Sequence, residues 1–509
     1  MEMTFADLIL QHASDDPVRL LLSRDRFPDI DLDLAVTTLE VRRKLRTKVP
    51  QWYAIPSLVY PSRLSGEQCS SSGTARYKAL LIKRMVSGGS VVPQPSLRDP
   101  SQRFEGALPP IIPRGSRPIS PADSASAGRS DERRDPSTLR IADLTGGMGV
   151  DSWAFAEVAV EVLYNEMQEG LAKATERNFK ELGVENVRFR NCRVEPGKVE
   201  EVLDGFRPDV IFLDPARRAE DGRKVFLIED CQPDVLTLLP ELFEASRFVL
   251  LKLSPMADIT MACKRLSHVR EVHVVASGGE CKELLFLLDR EWDGSPSTFV
   301  AEGGAVMEIP GQAGNDEAAP VIASEAAPVI ASEAAPVIAS EAAPVIPSEA
   351  APVIPSEAAP VIPSGAKESI VISTGAKRSG EICLFEPGKA LTKAGAFNLP
   401  CDRYGLTKLG THTHLYVGEA VPEGLRPFGK VFEVLEVLPL NNRTLKDAGK
   451  RYPQAEVTAR NIPMTSDLLR KKLGCASGGD VHLFGVRVDA AADPGNYLFI
   501  TKRQTYGND

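Results

Sequence analysis

The sequence predicts an α/β protein. A doubly wound, mainly parallel sheet closes with an antiparallel last strand, preceded by a helical region and followed by an α+β region. Three observations carry this expectation. The stretch Ile141-Ala142-Asp143-Leu144-Thr145-Gly146-Gly147-Met148-Gly149-Val150-Asp151 reads as a buried strand that breaks into a glycine-rich turn and opens a helix. Residues 140–292 then alternate strand and helix patterns, as a doubly wound sheet does. Its last two apolar runs, residues 272–276 and 284–288, are separated by too few residues for a crossover helix, so they must pair antiparallel.

Taken in order, residues 1–87 read as helical, with apolar residues at three- and four-residue spacing over 5–12, 34–48 and 74–86. Pro50 ends the second pattern, and the serine run at 70–72 supplies N-cap candidates for the third. Arg42, Arg43, Lys44, Arg46 and Lys48 lie beside Trp52 and Tyr53, and Arg76, Lys78, Lys83 and Arg84 repeat the theme. Basic side chains with neighbouring aromatics suit phosphate contact and base stacking; an ordinary solvated helix face is the alternative. Residues 88–139 carry nine prolines with serines and mixed charge and no apolar period, which describes a disordered linker.

Within 140–292, residues 210–213 form a buried strand that ends in Asp214-Pro215-Ala216-Arg217-Arg218, and residues 248–253 form another that brings Lys252 to its end. Polar residues at the carboxyl ends of parallel strands stand where such sheets bind ligands. Residues 293–428 read as a small α+β, ferredoxin-like unit interrupted by irregular sequence over 304–380. Inside that interruption the octad Glu-Ala-Ala-Pro-Val-Ile-(Ala/Pro)-Ser repeats six times between Glu317 and Ser364. Burying its Val and Ile returns at most about 3 kcal/mol each, whereas ordering eight backbones costs roughly 8–16 kcal/mol, so the octads are expected to be disordered. Residues 429–503 read strand–helix–strand–helix–strand–strand, with 12 Lys and Arg against 8 Asp and Glu; Arg460 is a candidate phosphate contact among them.

Composition narrows the function classes. A chain of 509 residues holds roughly two to four domains. The net charge of −9 is misleading, because six of the negative charges are octad glutamates in a tract without Lys or Arg. Eight cysteines without a C-x-x-C spacing signal neither a zinc ribbon nor a disulfide framework, and no metal is expected. No apolar run reaches the roughly 18 residues of a membrane helix, and the first residues lack a signal-peptide pattern. A cytoplasmic protein is expected.

The glycine turn by itself leaves its ligand open. Gly147 and Gly149 supply G-x-G, but Ser152 stands where a dinucleotide fingerprint wants a third glycine; an acid, Glu166, ends the next strand. Asp143 turns the pattern into D-x-T-G-G-x-G, which resembles motif I of class I S-adenosylmethionine-dependent methyltransferases. The antiparallel last strand is also the methyltransferase arrangement. Further stretches are similar to a bacterial family of these enzymes that ends in a THUMP-like domain: Glu67-Gln68-Cys69-Ser70-Ser71, Thr74-Ala75-Arg76-Tyr77-Lys78, Leu213-Asp214-Pro215-Ala216-Arg217-Arg218, Lys252-Leu253-Ser254-Pro255-Met256, Gly278-Gly279-Glu280-Cys281-Lys282-Glu283-Leu284 and Thr458-Ala459-Arg460-Asn461.

The resemblance implies a Rossmann-like, seven-stranded methyltransferase domain at 140–292, a THUMP-like domain at 429–503, S-adenosyl-L-methionine as cofactor and structured RNA, tRNA or rRNA, as substrate. It also implies roles. Asp143 faces the cationic end of the cofactor; Thr145, Gly146, Gly147, Gly149 and Asp151 surround it; Glu166 takes the ribose hydroxyls; Asn191 and Cys192 flank the adenine. Asp214 and Pro215 stand at motif IV, with Asp214 as acceptor for the nucleophile's proton. Ala216 and Arg217 replace the second proline and the aromatic of amine methyltransferases, so Arg217 or Arg218 would hold a phosphate instead. Lys252 is a substrate contact or a satisfied buried amine, and Arg43, Arg76, Lys78 and Arg460 are candidate RNA contacts. A methyltransferase of small molecules or proteins, and a non-catalytic RNA-binding module, are the other readings.

Overall fold

The computed structural model describes residues 3–87, 138–217, 228–310, 382–489 and 494–504. The octads, nearly all of the 88–139 linker and Arg218 lie outside these residues.

The first sheet is built from strands too apolar to face water on either side. β1 (Arg140–Asp143), which comes after the N-terminal helices described below, is followed by helix α5 (Val150–Ala156) and then by β2 (Glu161–Asn165), α6 (Glu169–Glu181), β3 (Val187–Arg190) and β4 (Val210–Leu213). After these come α7 (Val235–Ala245), β5 (Phe248–Leu253), β6 (Val269–Ser277), β7 (Glu280–Asp289), β8 (Ser297–Glu302) and β9 (Ala305–Ile309). The order across the sheet is β9-β8-β6-β7-β5-β4-β1-β2-β3. β7 runs antiparallel to both β5 and β6, as its short connection required. The sheet has nine strands rather than the seven expected. β8 adds parallel to β6, and β9 folds back on β8. Residues 305–309 were expected to belong to the irregular tract; instead Met307 and Ile309 alternate inward and bury, which gives a strand its reason to form.

Because side chains alternate along a strand, the sheet has two apolar faces and needs a cover on each. Ala142, Leu163, Ile211, Leu213, Val249 and Leu251 pack under α7 on one side. Ile141, Val162, Val210, Phe212, Leu250 and Leu285 face the other way, into the N-terminal helices. This N-terminal region contains α1 (Phe5–Gln11), α2 (Leu32–Lys48), α3 (Arg63–Gln68) and α4 (Ser72–Val86); α2 and α4 meet the sheet, while α1 packs on the outer side of α2 through Leu8 and Ile9. The N-terminal region is therefore a layer of the central domain. Trp52, fully buried, sits between Tyr60 (6.4 Å, stacked) and the edge-on rings of Trp153 (5.9 Å) and Phe179 (6.5 Å). Asn178 of α6 adds a two-way bond to the backbone of Val59, at 2.9 and 2.8 Å. Truncating such a tryptophan costs about 3–5 kcal/mol. Pro50, expected only to end α2, opens a further turn of helix over Pro50–Tyr53, where its missing N–H costs nothing.

A second sheet runs through the C-terminal part. It contains β10 (Cys383–Pro387), β11 (Thr407–Lys408), β12 (Tyr416–Gly418), β13 (Gly429–Pro439), β14 (Glu456–Arg460), β15 (Val481–Val488) and β16 (Gly495–Arg503), in the order β11-β12-β10-β13-β16-β15-β14. Helix α8 (Lys389–Lys393) packs on β6 and β7 of the first sheet, and the Lys393 ammonium donates to the Ala257 carbonyl at 2.8 Å. Helices α9 (Asn442–Arg451) and α10 (Ser466–Leu473) cover β14–β16 through Leu445, Ala448, Leu469 and Leu473. None of the described helices is long and apolar enough to cross a membrane.

Candidate active site

A cleft of about 260 Å³ opens at the carboxyl ends of β1, β2 and β4. The glycine loop forms its floor, and the loop's shape is dictated from beneath. A Cβ on Gly146 would stand 2.2 Å from the Tyr164 ring, and one on Gly149 (φ +82°) 2.7 Å from both Phe179 and Thr175. These two glycines are thus needed for close packing of β2 and α6 against the loop. Gly147 (φ +54°) has no neighbour in its missing Cβ direction closer than 4.0 Å; there the backbone conformation is the requirement. Its carbonyl accepts from Tyr164 Oη (2.6 Å) and Thr175 Oγ1 (3.2 Å).

Asp143 is fully buried beneath this loop and does not line the cleft. Its carboxyl oxygens accept from the Thr145 N–H (3.1 Å) and the Ser152 hydroxyl (2.5 Å). Burial, opposed by those two bonds, pushes its pKa up to about 8. The role implied for it, facing the cation of a cofactor, is corrected: it braces the loop and the start of α5. Glu166 does reach the cleft. One of its oxygens accepts from the Gly147 N–H (3.0 Å) and the other from the Gln168 N–H (2.8 Å), and each keeps acceptor capacity for a ligand hydroxyl. Asn165 staples the loops around it by donating to the carbonyls of Leu144 (3.1 Å) and Cys192 (3.0 Å). Cys192 lines the cleft. Asn191 does not, its amide being turned back to the Glu166 carbonyl at 2.6 Å.

Asp214 lines the opposite rim, its N–H donating to Thr145 Oγ1 at 2.6 Å and its carboxylate paired with the Lys252 ammonium. Burial works against that ammonium, but Asp214, Glu283 and Asp151 together outweigh it and hold Lys252 above the ordinary lysine range. Lys252 is therefore a fixed cation whose partner is Asp214, and it does not line the cleft. Pro215 is buried behind the rim. The Arg217 backbone lies in a two-residue ladder in which Ala216 pairs with Gln232 and Arg217 with Cys231; Ala216, Gln232 and Pro233 line the cleft beside it.

The remaining wall comes from residues the sequence reading left unassigned. Ser65 and Gln68 of α3 line the cleft, with Cys69 and Ser70 of the turn that follows, opposite Met167 and Gln168. Met167 follows a strand-end acid; for the N-terminal contribution the only signal was the family-like stretch Glu67-Gln68-Cys69-Ser70-Ser71, and tertiary packing is what brings it to the cleft.

The expected RNA contacts of the N-terminal helices have internal partners instead. Arg43 caps the carbonyls of Ala13 and Asp15. Arg76 lies 3.6 Å from Glu157. Lys78 is 0% exposed, its ammonium bonded to both Glu283 oxygens at 2.7 and 2.8 Å. A buried charge needs such partners, and the surface-contact reading of Lys78 is corrected on that ground. Arg460 is 46% exposed and paired with Glu386 at 2.6 Å. By contrast Arg443, Lys446 and Lys450 on α9, and Lys471 and Lys472 on α10, are exposed.

Comparison with known proteins agrees with this geometry. Residues 429–503 match the family model for a THUMP domain-like unit, and residues 384–424 match a ferredoxin-like domain. A crystal structure of a candidate methyltransferase from Porphyromonas gingivalis W83 is 26% identical. It superposes with a TM-score of 0.63 over 99% of this chain and 98% of that one. A curated protein of Enterococcus faecalis, described as an uncharacterized RNA methyltransferase, is 31% identical over 94 residues; these make up 18% of this chain and 21% of that protein. The sheet order, the glycine loop beneath its cleft and these likenesses give this chain the class I methyltransferase fold, followed by a ferredoxin-like and a THUMP-like segment.

Proposed function

We propose that this protein transfers a methyl group from S-adenosyl-L-methionine to RNA. The observation that carries the first half is the cleft itself, where a glycine loop, a strand-end acid and a second acid on the far rim converge. The donor set fits a nucleoside: Glu166 has acceptor capacity for ribose hydroxyls, Cys192 and Met167 flank the space beside it, and Thr145, Gly146, Gly147 and Gly149 offer backbone to the amino-acid end. When bound, the donor supplies a methyl group activated on a sulfonium. The chain's task is alignment, and holding reactants in line is worth roughly 7–11 kcal/mol. Asp214 would accept the proton of the nucleophile, with Lys252 fixing the direction of its carboxylate. Arg217 and its neighbour in sequence, Arg218, would contact the substrate's phosphate.

The RNA half is supported by the exposed cations of α9 and α10 in the THUMP-like segment, and by the description of the Enterococcus relative. The test incubates the purified chain with methyl-labelled donor and total RNA, then digests the RNA to nucleosides. Label in one modified nucleoside is expected. Asp214→Asn should lower that incorporation about 100-fold, the usual lower bound for losing a proton acceptor, while donor affinity by calorimetry stays within about threefold. Label found only in protein or small molecules would end the RNA reading.

A further inference from the structure

The N-terminal layer reaches the cleft through a set of bonds that the proposed reaction does not yet use. The Lys78 ammonium enters from α4 and meets four groups: both carboxylate oxygens of Glu283 on β7, the Ser70 oxygen at 3.1 Å and Asp151 Oδ1 at 3.2 Å. The Ser70 hydroxyl, accepting from Lys78, donates in turn to Asp151 Oδ2 at 2.8 Å. Asp151 stands in the first turn of α5, directly after the glycine loop, and Ser70 and Asp151 both line the cleft. Lys78 and Glu283 are buried behind them. Two elements far apart in sequence are thus held to one carboxylate at the cleft wall.

We infer that Ser70 and Lys78 are positioning residues for the methyl donor, acting through the Asp151 carboxylate, and that the N-terminal helical layer is a working part of the donor site. The chemistry is that of a carboxylate whose direction must be fixed before a ligand arrives. Ser70 bonds one oxygen, and Lys78 stands in ion-pair contact with the other, so it is the hydroxyl that sets the direction of the side chain at the mouth of α5. Without the hydroxyl, Asp151 is free to rotate about its own side-chain bond, and the first turn of α5 loses its tie to the opposite wall. The hydrogen bonds from Ser70 to Asp151 and from Lys78 to Ser70 and Glu283 are charge-assisted, so each is stronger than a bond between neutral groups. This inference rests on the donor-site reading above.

The test is a double-mutant cycle on the full chain with S-adenosyl-L-methionine as the titrated ligand. Ser70→Ala is expected to weaken donor binding about tenfold, the usual cost of a bond to a charged acceptor, with thermal midpoint near that of the wild type. Asp151→Asn should weaken it at least as much. In the Asp151→Asn background, Ser70→Ala should then add little, because its route of action is already gone. Lys78→Met is the stronger perturbation; if it prevents folding, the Ser70 and Asp151 cycle still decides. Additive losses, or donor affinity unchanged in a folded Ser70→Ala variant, would overturn the inference. A wild-type chain that binds no donor would instead sink the donor-site reading, which keeps the two failures distinct.

Discussion

Two groups of basic residues look alike on paper and behave as opposites in the fold. The N-terminal helices carry Arg42, Arg43, Lys44, Lys48, Arg76, Lys78 and Arg84, and these turn to partners within the chain. Arg42 donates to the carbonyls of Ile55 (2.7 Å) and Tyr53 (2.6 Å), Lys44 pairs with Glu67, and Arg84 pairs with Glu271. The C-terminal helices carry Arg443, Lys446, Lys450, Lys471 and Lys472, which face solvent; Arg443 is 93% exposed. The difference comes from what each helix covers. The N-terminal layer offers carbonyls and acids of its own, at Tyr53, Ile55 and Glu67, and the sheet domain adds Glu157, Glu271 and Glu283, so a long cation can bury its stem and still be satisfied. α9 and α10 cover their sheet mainly with Leu and Ala, and of their cations only Arg451, paired with Glu436, and Arg470, paired with Asp467, are drawn to partners of this kind. A count of lysines and arginines therefore reports neither binding nor stability until the covering face is known.

Substitutions sharpen this contrast. The largest effect belongs to Lys78→Met, which leaves the buried Glu283 carboxylate without its bonded cation; destabilisation of about 3–5 kcal/mol is expected in denaturant unfolding. An intermediate effect belongs to Asp143, whose carboxyl is held protonated to about pH 8 in the fold, against an ordinary value of 3.8. Between these two values the folded chain binds the extra proton, so this group's contribution falls as pH rises through the window. Asp143→Asn should remove a slope of about 1.4 kcal/mol per pH unit, seen by comparing unfolding of variant and wild type across pH 5–8. The smallest effect on stability belongs to the outward set. Replacing Arg443, Lys446 and Lys450 together by Ala should change stability by less than about 0.5 kcal/mol. The same triple variant should weaken RNA binding and lower the slope of log affinity against log salt by about two. An unchanged salt slope would remove α9 from the proposed RNA face.

Much of the architecture was legible because periodicity and connection length are local. The antiparallel final pair followed from the short gap between residues 277 and 283, and the elements of 429–503 follow their apolar spacing closely. What was not legible depended on faces. Asp143 fits its motif, but whether a strand-end acid points up into a cleft or down beneath a loop is a matter of a single side-chain direction. Lys78 sits in an ordinary helical pattern, and only the packing of α4 against β7 turns it inward. The edge strands over 297–309 were missed because they precede the octads in a stretch of weak pattern. They were therefore read with the following unit rather than with the sheet they complete.

β13 spans 11 residues and belongs to two neighbourhoods at once: its first half pairs with β10, its second with β16. β10 leads straight into α8, whose Lys393 is tied to the central domain. A hinge between the ferredoxin-like and THUMP-like segments would have to tear this common strand from one partner or the other. The C-terminal helices are consequently held at a set offset from the cleft, so that a molecule bound at both ends would be held at a constant span, in the manner of a ruler rather than a swinging arm.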